Sequence, residues 1–445
     1  MSEVLLIGLP QSHMSSSAKI PPLGILYLAS TLDENGIDVK VLDLNIESYN
    51  KKNFLRKILK ENPKIIGISS NSYGIREAVT LAKTIKDSGV ESKVVLGGTH
   101  ISSSPNFIEK FGMFDYGFIG EAEISFPVFV KKILKGKSNK GKKFFCKHPD
   151  NLDNLPLPSY KKLNLKKYRD KKNKLNLNIV SSRGCSFECI YCHQPKISPL
   201  RFRSGSNVAE EIRILIENYK ADYLYFTDGT FNINKKHALA VCKAIIEEKI
   251  DIEWGCCTRC DCVNKEILKI MYKAGCRDMG FGIESGSEKV RSILKKKSFS
   301  NKLIFNTFKL CRENNVRTIA WFMLGLPTEN LNGINNTIKF AIKLNANRTI
   351  FSPLVLLPNT EIFNMALKEG MIDNDVWDKY ATGESRNIPI FIPKNIEKKQ
   401  LEKMLIKACI SFYGRPSYIV KNLDKIVNIK DFIKSIISFK TDQLS

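Results

Sequence analysis

Short apolar segments alternate with helix-like segments along most of this chain. In the amino-terminal part, we predict strands at residues 4–8, 39–42, 65–69, 94–96 and 116–119. Helices are predicted between them, for example at residues 23–35 and 75–88. Strands and helices that alternate at this length predict a parallel sheet covered by helices on both faces. The fold class is therefore α/β, with a doubly wound, Rossmann-like domain expected over residues 1–135.

The alternation resumes in the second half of the chain. Six further strands are predicted at residues 178–181, 223–227, 253–258, 278–283, 318–324 and 349–356. These β/α units define a second domain over residues 175–375. Between the domains, residues 136–174 are basic and contain Pro156 and Pro158, a pattern typical of a stiff linker. Residues 376–445 are predicted to form a small, mainly helical carboxy-terminal region.

The composition indicates a globular protein of the cytoplasm. Hydrophobic residues make up 43% of the chain and charged residues 26%, both ordinary values for folded domains. No apolar run reaches the ~18 residues that a transmembrane helix needs. The first residues form an apolar strand without the basic segment of a signal peptide. The 12 cysteines are unevenly spaced, which favours metal ligation or packing in a reducing compartment over a disulfide framework.

The net charge of +25 permits two interpretations. The positive charge would attract an anionic partner such as RNA, a phosphorylated metabolite or a membrane surface. Alternatively, it is a solvated, lysine-rich surface, since lysine supplies most of the charge and arginine, which is better suited to specific phosphate recognition, is scarcer. We favour the second interpretation, so a nucleic-acid partner is not expected.

Three cysteines lie within eight residues: Cys185, Cys189 and Cys192. Their spacing is Cys-x3-Cys-x2-Cys. A structural zinc site closes four ligands around the metal, whereas a [4Fe–4S] cluster on three thiolates keeps one iron open for chemistry. His193 follows directly, so a zinc site with three cysteines and one histidine is the alternative, but the cluster is the favoured interpretation.

Residues 182–193 resemble the signature of the radical S-adenosylmethionine (SAM) superfamily. The resemblance implies a partial (β/α)6 barrel in which the open iron chelates the amino and carboxylate groups of SAM. Tyr191, at the aromatic position of the motif, would pack near the adenine. Later strand ends match the family pattern as well, so the SAM-binding residues expected from the resemblance are Tyr191, Asp228, Gly229, Arg259, Glu284, Ser285, Gly325 and Leu356.

The third strand of the second domain carries four cysteines within seven residues, at positions 256, 257, 260 and 262. If the segment stays extended, side chains alternate between its two faces. Cys256, Cys260 and Cys262 then share the face turned to the helices, whereas Cys257 shares the face of Arg259 and looks into the barrel. We therefore expect packing residues here, with an auxiliary metal cluster as the less favoured alternative.

The amino-terminal domain resembles the cobalamin-binding domain of the B12-dependent branch of the superfamily. The resemblance rests on residues 21–24, 97–100 and 117–123. The Asp-x-His-x-x-Gly motif that gives cobalt a histidine in other B12 proteins is absent, so His100 is expected to be a loop or cofactor-edge contact. Ligands of such sheets bind at the carboxyl ends of the strands. The predicted cobalamin-binding residues are Leu9, Pro10, Asn45, Ser69, Ser70, Gly97, Gly98, Thr99, His100, Gly120 and Glu121.

The resemblance implies an enzyme of the class B methyltransferase type in an anaerobic cytosol. Its [4Fe–4S] cluster would cleave SAM to a 5′-deoxyadenosyl radical that abstracts hydrogen from an unactivated carbon, and methylcobalamin would then supply a methyl group. The expected partners are a small-molecule, lipid or peptide substrate and an external one-electron reductant such as flavodoxin or ferredoxin.

The sequence leaves three alternative functions. A radical cyclisation, ring rearrangement or oxidation would use the same cofactors without methyl transfer. A methylthiotransferase would need three further amino-terminal cysteines, and only Cys146 precedes Cys185. A zinc-stabilised RNA-binding protein would leave the Glu284 and Gly325 strands without a role.

Overall fold

The structure is a computed structural model that describes residues 2–10, 19–47, 50–137, 141–296 and 298–421. The first half of the protein contains a six-stranded parallel sheet. The strand order is β2-β1-β3-β4-β5-β6. The strands are β1 (Val4–Gly8), β2 (Val39–Asp43), β3 (Ile65–Ser69), β4 (Lys93–Gly97), β5 (Tyr116–Ile119) and β6 (Lys143–Phe145). The predicted positions of the first five strands are confirmed to within one residue at each end.

Helices cover both faces of this sheet, because apolar side chains point to both sides of its central strands. In β1, Leu6 packs with α1 and α6, whereas Leu5 and Ile7 belong to the core on the opposite face, which includes Ala78 and Leu81 of α3. This arrangement confirms the doubly wound prediction. The helices are α1 (Leu23–Glu34), α2 (Lys51–Glu61), α3 (Ile75–Asp87), α4 (Thr99–Ser103), α5 (Phe107–Lys110) and α6 (Ser125–Leu134).

The second half forms another six-stranded parallel sheet, in the order β14-β13-β12-β11-β10-β7. Along β13, exposed or half-buried residues alternate with buried ones, as expected for a barrel strand with one face towards the helices. A separate antiparallel pair, β8 with β9, flanks the cysteine motif. The strands are β7 (Asn176–Ile179), β8 (Ser182–Arg183), β9 (Arg201–Phe202), β10 (Tyr223–Phe226), β11 (Glu253–Thr258), β12 (Cys276–Glu284), β13 (Arg317–Leu324) and β14 (Arg348–Pro353).

The first barrel strand ends two residues earlier than the predicted segment 178–181. Two contacts take the chain out of the sheet there. The Val180 carbonyl accepts a hydrogen bond from the Arg203 guanidinium at 2.7 Å, and the Ser181 N–H donates to Asp228 at 3.1 Å. Backbone groups that would have continued the ladder are thereby satisfied by side chains.

The helices after the barrel strands begin at residues that cap them. Each of α8 to α14 follows a Ser, Asn or Thr whose side chain accepts a hydrogen bond from a backbone N–H of the first turn. A short helix, α7 (Gln194–Ile197), follows the cysteine motif. The barrel helices are α8 (Gly205–Tyr219), α9 (Lys235–Glu247), α10 (Lys265–Lys273), α11 (Glu288–Ile293), α12 (Asn301–Glu313), α13 (Leu331–Leu344) and α14 (Glu361–Lys368).

The segment predicted to be a linker packs against both halves. It supplies β6, so the first sheet reaches beyond residue 135. Farther along, the Tyr160 hydroxyl donates to the Asn178 carbonyl at 2.7 Å and the Tyr168 hydroxyl donates to Asp43. Up to residue 421, three helices follow the barrel: α15 (Val376–Thr382), α16 (Lys398–Tyr413) and α17 (Pro416–Lys421). The predicted helical region beyond residue 421 lies outside the described residues.

Candidate active site

The three motif cysteines lie on one loop between β8 and α7, and each is half-buried. The Cys192 N–H donates to the Cys189 carbonyl at 3.0 Å, which closes a tight turn. Gly184 begins the loop at φ +83°, and a Cβ there would lie 2.3 Å from the Pro199 carbonyl oxygen, so only glycine fits. Burial raises the pKa of Cys192 to about 11, so its thiol stays protonated at neutral pH until a metal takes the place of the proton.

An arginine lies against the cysteine loop. The Arg259 guanidinium is 3.6 Å from the centre of the Phe187 ring, and its Nη1 is 3.8 Å from Cys189 Sγ. Asp261 fixes the guanidinium with two hydrogen bonds of 3.0 and 2.7 Å. A fixed positive charge therefore faces the sulfur atoms that would carry the negative charge of a cluster.

The neighbouring cysteines depart from the extended conformation that the sequence analysis assumed. The strand β11 ends at Thr258, and Cys260–Cys262 form a 3-10 helix, so the period-two alternation fails beyond that point. Cys256 and Cys260 are fully buried, whereas Cys262 is only half-buried. Cys257 Sγ lies 3.2 Å from the Tyr225 hydroxyl on the adjacent strand.

Glu284, predicted to bind the ribose of SAM, ends β12 in the left-handed conformation at φ +68°. Its Oε1 accepts a hydrogen bond from the Tyr191 hydroxyl at 2.8 Å and forms an ion pair with Lys296 at 2.6 Å. A strained backbone at a buried carboxylate is typical of binding sites, where surrounding contacts hold it in place. Tyr191 thus connects the cysteine loop directly to β12.

The other strand ends predicted for SAM are held by contacts within the chain. Ser285 Oγ donates to Glu329 at 3.0 Å, and the same carboxylate accepts from the Leu326 N–H at 3.0 Å, which joins the ends of β12 and β13. Gly325 has φ +78° and lies against Leu401 of α16. Leu356 is buried, and its carbonyl accepts a hydrogen bond from the Trp377 indole at 2.8 Å.

Asp228 is fully engaged at the base of the cysteine loop. Its carboxylate accepts from the Ser181 N–H at 3.1 Å, from the Ser181 hydroxyl at 2.8 Å and from the Ser182 hydroxyl. Burial raises the pKa of Asp228 above its usual value, because its effect exceeds that of these hydrogen bonds, which lower the pKa. The carboxylate therefore holds the strand that leads into the loop, and the neighbouring Gly229 lies beside Gly184 and Cys185.

A cavity of about 500 Å³ opens at the carboxyl ends of the strands of the first sheet. It is also lined by residues of the second half of the chain, among them Ser182, Arg183 and Gly184 at the start of the cysteine loop and Gly229. Of the residues predicted for cobalamin, it is lined by Ser69, Gly97, Gly98, Thr99, Gly120 and Glu121. The others do not line it: Leu9, Pro10, Asn45, Ser70 and His100.

Comparisons with known proteins match both halves of the chain. Residues 179–341 match the family described as the radical SAM superfamily, and residues 14–130 match the B12 binding domain. An uncharacterized methyltransferase of Pyrococcus horikoshii is 31% identical over 419 residues, which cover 91% of this chain and 90% of that one. The anaerobic magnesium-protoporphyrin IX monomethyl ester cyclase of Rubrivivax gelatinosus is 24% identical over 360 residues, which cover 75% of this chain and 64% of the cyclase.

Among solved structures, the fold is similar to that of TsrM from Kitasatospora setae, a radical SAM methyltransferase with cobalamin and a [4Fe–4S] cluster bound. The TM-score is 0.72 at 18% identity, and the match covers 92% of this chain and 91% of TsrM. The chain belongs to the B12-dependent radical SAM family. The cofactors of this family are a [4Fe–4S] cluster, SAM and cobalamin, and the protein is a radical SAM enzyme of the methyltransferase-like class.

The cavity of this radical SAM enzyme fits a large, mostly apolar group such as part of cobalamin. A Cβ added at Gly24 or Gly97 would meet nothing within 4 Å, so both glycines leave room in the cavity wall. Gly98 has φ +99°, and a Cβ there would lie 2.4 Å from the Ser70 carbonyl oxygen. Ser70 therefore packs against the glycine turn that shapes the cavity instead of lining it.

His100 is buried away from this cavity. Its Nδ1 lies 3.0 Å from the Ser72 hydroxyl, and its ring packs edge-on against Phe107 at 4.8 Å and Trp377 at 5.8 Å. Burial lowers the pKa of His100 to about 3, so the ring is neutral at pH 7. Since it is enclosed by the fold, the structure supports a packing role for His100 more than contact with a cofactor edge.

The family assignment favours a four-iron cluster over a single zinc ion on the cysteine loop. His193 Nδ1 lies 3.0 Å from the Ser103 hydroxyl, so the ring is oriented by the first domain. Within the part of the chain that the structure describes, no three His, Cys, Asp or Glu side chains are arranged to hold one metal ion. Ligands of a four-iron cluster bind different irons and stand farther apart than ligands of one zinc. The family assignment also replaces the zinc-stabilised RNA-binding alternative.

Several site residues were missed by the sequence analysis: Ser181, Arg183, Lys296 and Glu329. All four act through contacts with residues distant along the chain, and no motif spacing marks them. No helix among the described residues is long and apolar enough to cross a membrane.

Proposed function

We propose that this enzyme transfers a methyl group to an unactivated carbon, using cobalamin, SAM and the cluster on Cys185, Cys189 and Cys192. The supporting observation is the shared wall of the cavity, which residues of the B12-binding domain and of the cysteine loop form together. Both cofactor sites therefore face one space. Bound there, SAM and the cluster supply a hydrogen-abstracting radical, and cobalamin supplies the methyl group.

The contributions of the chain itself are binding and positioning. Glu284, with Tyr191 on one side, presents a carboxylate suited to ribose hydroxyl groups. Arg259 places a positive charge beside the cysteine loop. Gly325 has φ +78° and lies against Leu401, so a glycine suits the end of β13, the strand whose backbone the resemblance assigns to the adenine. These roles follow the SAM-binding residues expected from the resemblance.

The partners of the reaction are proposed at the level of chemical class. The enzyme needs an external one-electron donor such as flavodoxin or ferredoxin, and a small-molecule, lipid or peptide substrate. The relative from Pyrococcus horikoshii carries the name of a methyltransferase, which favours methyl transfer. Because one relative is named a cyclase, a radical ring closure with the same cofactors is the second candidate.

The test uses the full chain, reconstituted anaerobically with iron, sulfide, cobalamin and methyl-labelled SAM. We expect about four irons per chain, bound corrinoid, and both 5′-deoxyadenosine and S-adenosylhomocysteine as products, with label on the corrinoid. A variant with Cys185→Ala, Cys189→Ala and Cys192→Ala should lose the iron and retain the corrinoid. Deoxyadenosine without S-adenosylhomocysteine would contradict methyl transfer and favour the cyclisation chemistry.

A further inference from the structure

Lys296 is a lysine buried inside the candidate active site. It lies just after α11, and its side chain is 4% exposed. Its Nζ donates to the Gly282 carbonyl at 2.8 Å and to Glu284 Oε1 at 2.6 Å. The preceding lysine, Lys295, is 42% exposed and pairs with Glu361 on the surface. Two adjacent lysines thus occupy opposite environments.

The ammonium of Lys296 also lies near the cysteine loop. Its Nζ is 5.8 Å from the centre of the Tyr191 ring and 5.2 Å from the centre of the Phe299 ring. Tyr191 immediately precedes Cys192, and its hydroxyl donates to the same oxygen of Glu284 that pairs with Lys296. The lysine therefore lies between the predicted ribose-binding strand and the loop that would hold the cluster.

Burying this ammonium costs free energy, so other interactions must offset that cost. An unpaired buried charge is strongly disfavoured, and even a buried ion pair often does no more than balance its own desolvation. A hydrophobic side chain at position 296 could fill the same space without that cost. The charge is thus explained better by what it does to its neighbours than by stability.

We propose that Lys296 is a positioning residue that serves both cofactor sites at once: it fixes the Glu284 carboxylate for SAM and provides a positive charge that stabilises the reduced cluster. This inference rests on the cofactor sites of the proposed function, but not on methyl transfer. Both contacts to Glu284 described above go to Oε1, which leaves Oε2 with acceptor capacity for ribose hydroxyl groups.

The effect on the cluster follows from charge. When an external one-electron reductant reduces the cluster, the cluster gains one negative charge. A cation held nearby in a medium of low dielectric constant stabilises that charge more than water would. The sign is definite: removing the lysine charge should make the midpoint potential more negative, and removing the Glu284 charge should make it less negative.

The experiment compares Lys296→Met, Lys296→Arg and Lys295→Met in the anaerobically reconstituted full chain. The midpoint potential is measured by electron paramagnetic resonance during titration with Ti(III) citrate, and SAM affinity by equilibrium dialysis. For Lys296→Met we expect a more negative potential and SAM binding weaker by about tenfold, the loss typical of a hydrogen bond to a charged group. Lys296→Arg should restore much of both properties, and Lys295→Met should match the wild type.

A second variant keeps the test decisive if Lys296→Met binds no iron. Glu284→Gln leaves the ammonium in place and should shift the potential in the opposite direction. An unchanged potential in an iron-replete Lys296→Met protein, or shifts of both variants in the same direction, would overturn the proposal. A failure of methyl transfer alone would leave these potentials and affinities as they are, so the two failures are distinguishable.

Discussion

Arg183 and Glu121 form an ion pair of 2.7 Å that joins the cysteine loop to the B12-binding domain. The same guanidinium nitrogen lies 2.7 Å from Glu123, and the Ser198 hydroxyl also donates to Glu121 at 2.8 Å. Arg201 also bonds to Glu121, and His148 Nδ1 lies 3.3 Å from the same carboxylate. Because Arg183 stands two residues before Cys185, this cluster fixes the start of the loop relative to the cavity.

The charge of Glu121 should make stability depend on pH. Burial disfavours its ionised form, but the hydrogen bond from Arg201 and the charge of Arg183 outweigh burial and lower its pKa from 4.5 to about 2. Because the folded pKa lies below the unfolded one, the stabilisation is complete above pH 4.5 and is lost as the pH falls towards 2. Glu121→Gln should reduce the free energy of unfolding by about 2 kcal/mol at pH 7 and flatten the acid side of the stability profile.

Urea unfolding at a series of pH values measures this effect. Glu47→Gln is the matched control, because Glu47 pairs with Lys167 on the surface at 43% exposure on each side. Equal pH profiles for the Glu121 variant and the wild type would show that the cluster contributes no pH-dependent stability.

Filling the cavity should expel the corrinoid without unfolding the protein. Gly97 ends β4 at the cavity wall, and a Cβ there meets nothing within 4 Å. In Gly97→Leu the new side chain should occupy space needed by the ligand and lower corrinoid affinity by about tenfold or more, at unchanged iron content. Gly112→Leu places the same side chain at an exposed glycine that also has open space and lies outside the cavity.

Corrinoid per chain, measured by absorbance after gel filtration, distinguishes the two variants. Full corrinoid loading in Gly97→Leu would show that this cavity is not the binding site.

Truncating Leu401 should weaken both the fold and SAM binding. The side chain is fully buried in α16 and lies against Gly325, the predicted adenine-strand residue. Leu401→Ala should lower the free energy of unfolding by about 3 kcal/mol, as for other buried leucines, and weaken SAM affinity because Gly325 loses its support. Ile410→Ala alters the same helix at a residue that is 58% exposed and should change stability by only about 0.5 kcal/mol.

Chemical denaturation and equilibrium dialysis with SAM measure the two effects. Normal SAM affinity in a destabilised Leu401→Ala protein would show that α16 supports the fold alone.

The strands could be predicted from sequence because their signal is local. The segment 253–258 is a strand with the predicted ends, a short run of six residues of which four are buried. The prediction failed immediately afterwards, at Cys260–Cys262, where the Arg259–Asp261 ion pair accompanies a 3-10 turn. A pairing of two side chains decides the backbone there, and alternation cannot reveal it.

The candidate site was only partly predictable. The spacing of Cys185, Cys189 and Cys192 is specific enough to indicate a cluster motif from the sequence alone. Their role as cluster ligands stays a prediction. Glu121 was expected at the cofactor and lines the cavity, but its ion pairs with Arg183 and Arg201 depend on folding. Likewise, Lys295 and Lys296 are indistinguishable in the sequence, and only burial separates them.

Because Leu401 contacts Gly325, the order in which the chain is synthesised should determine the order in which its two cofactor sites form. Ribosomes add roughly 5 to 20 residues per second. The strand β13, predicted to line the adenine, is therefore synthesised several seconds before the helix that packs against Gly325, whereas the sheet of the B12-binding domain is by then complete. Nascent chains should thus become able to hold corrinoid before they can hold SAM, and a message truncated ahead of codon 401 should yield a corrinoid-binding protein with an unfinished SAM site.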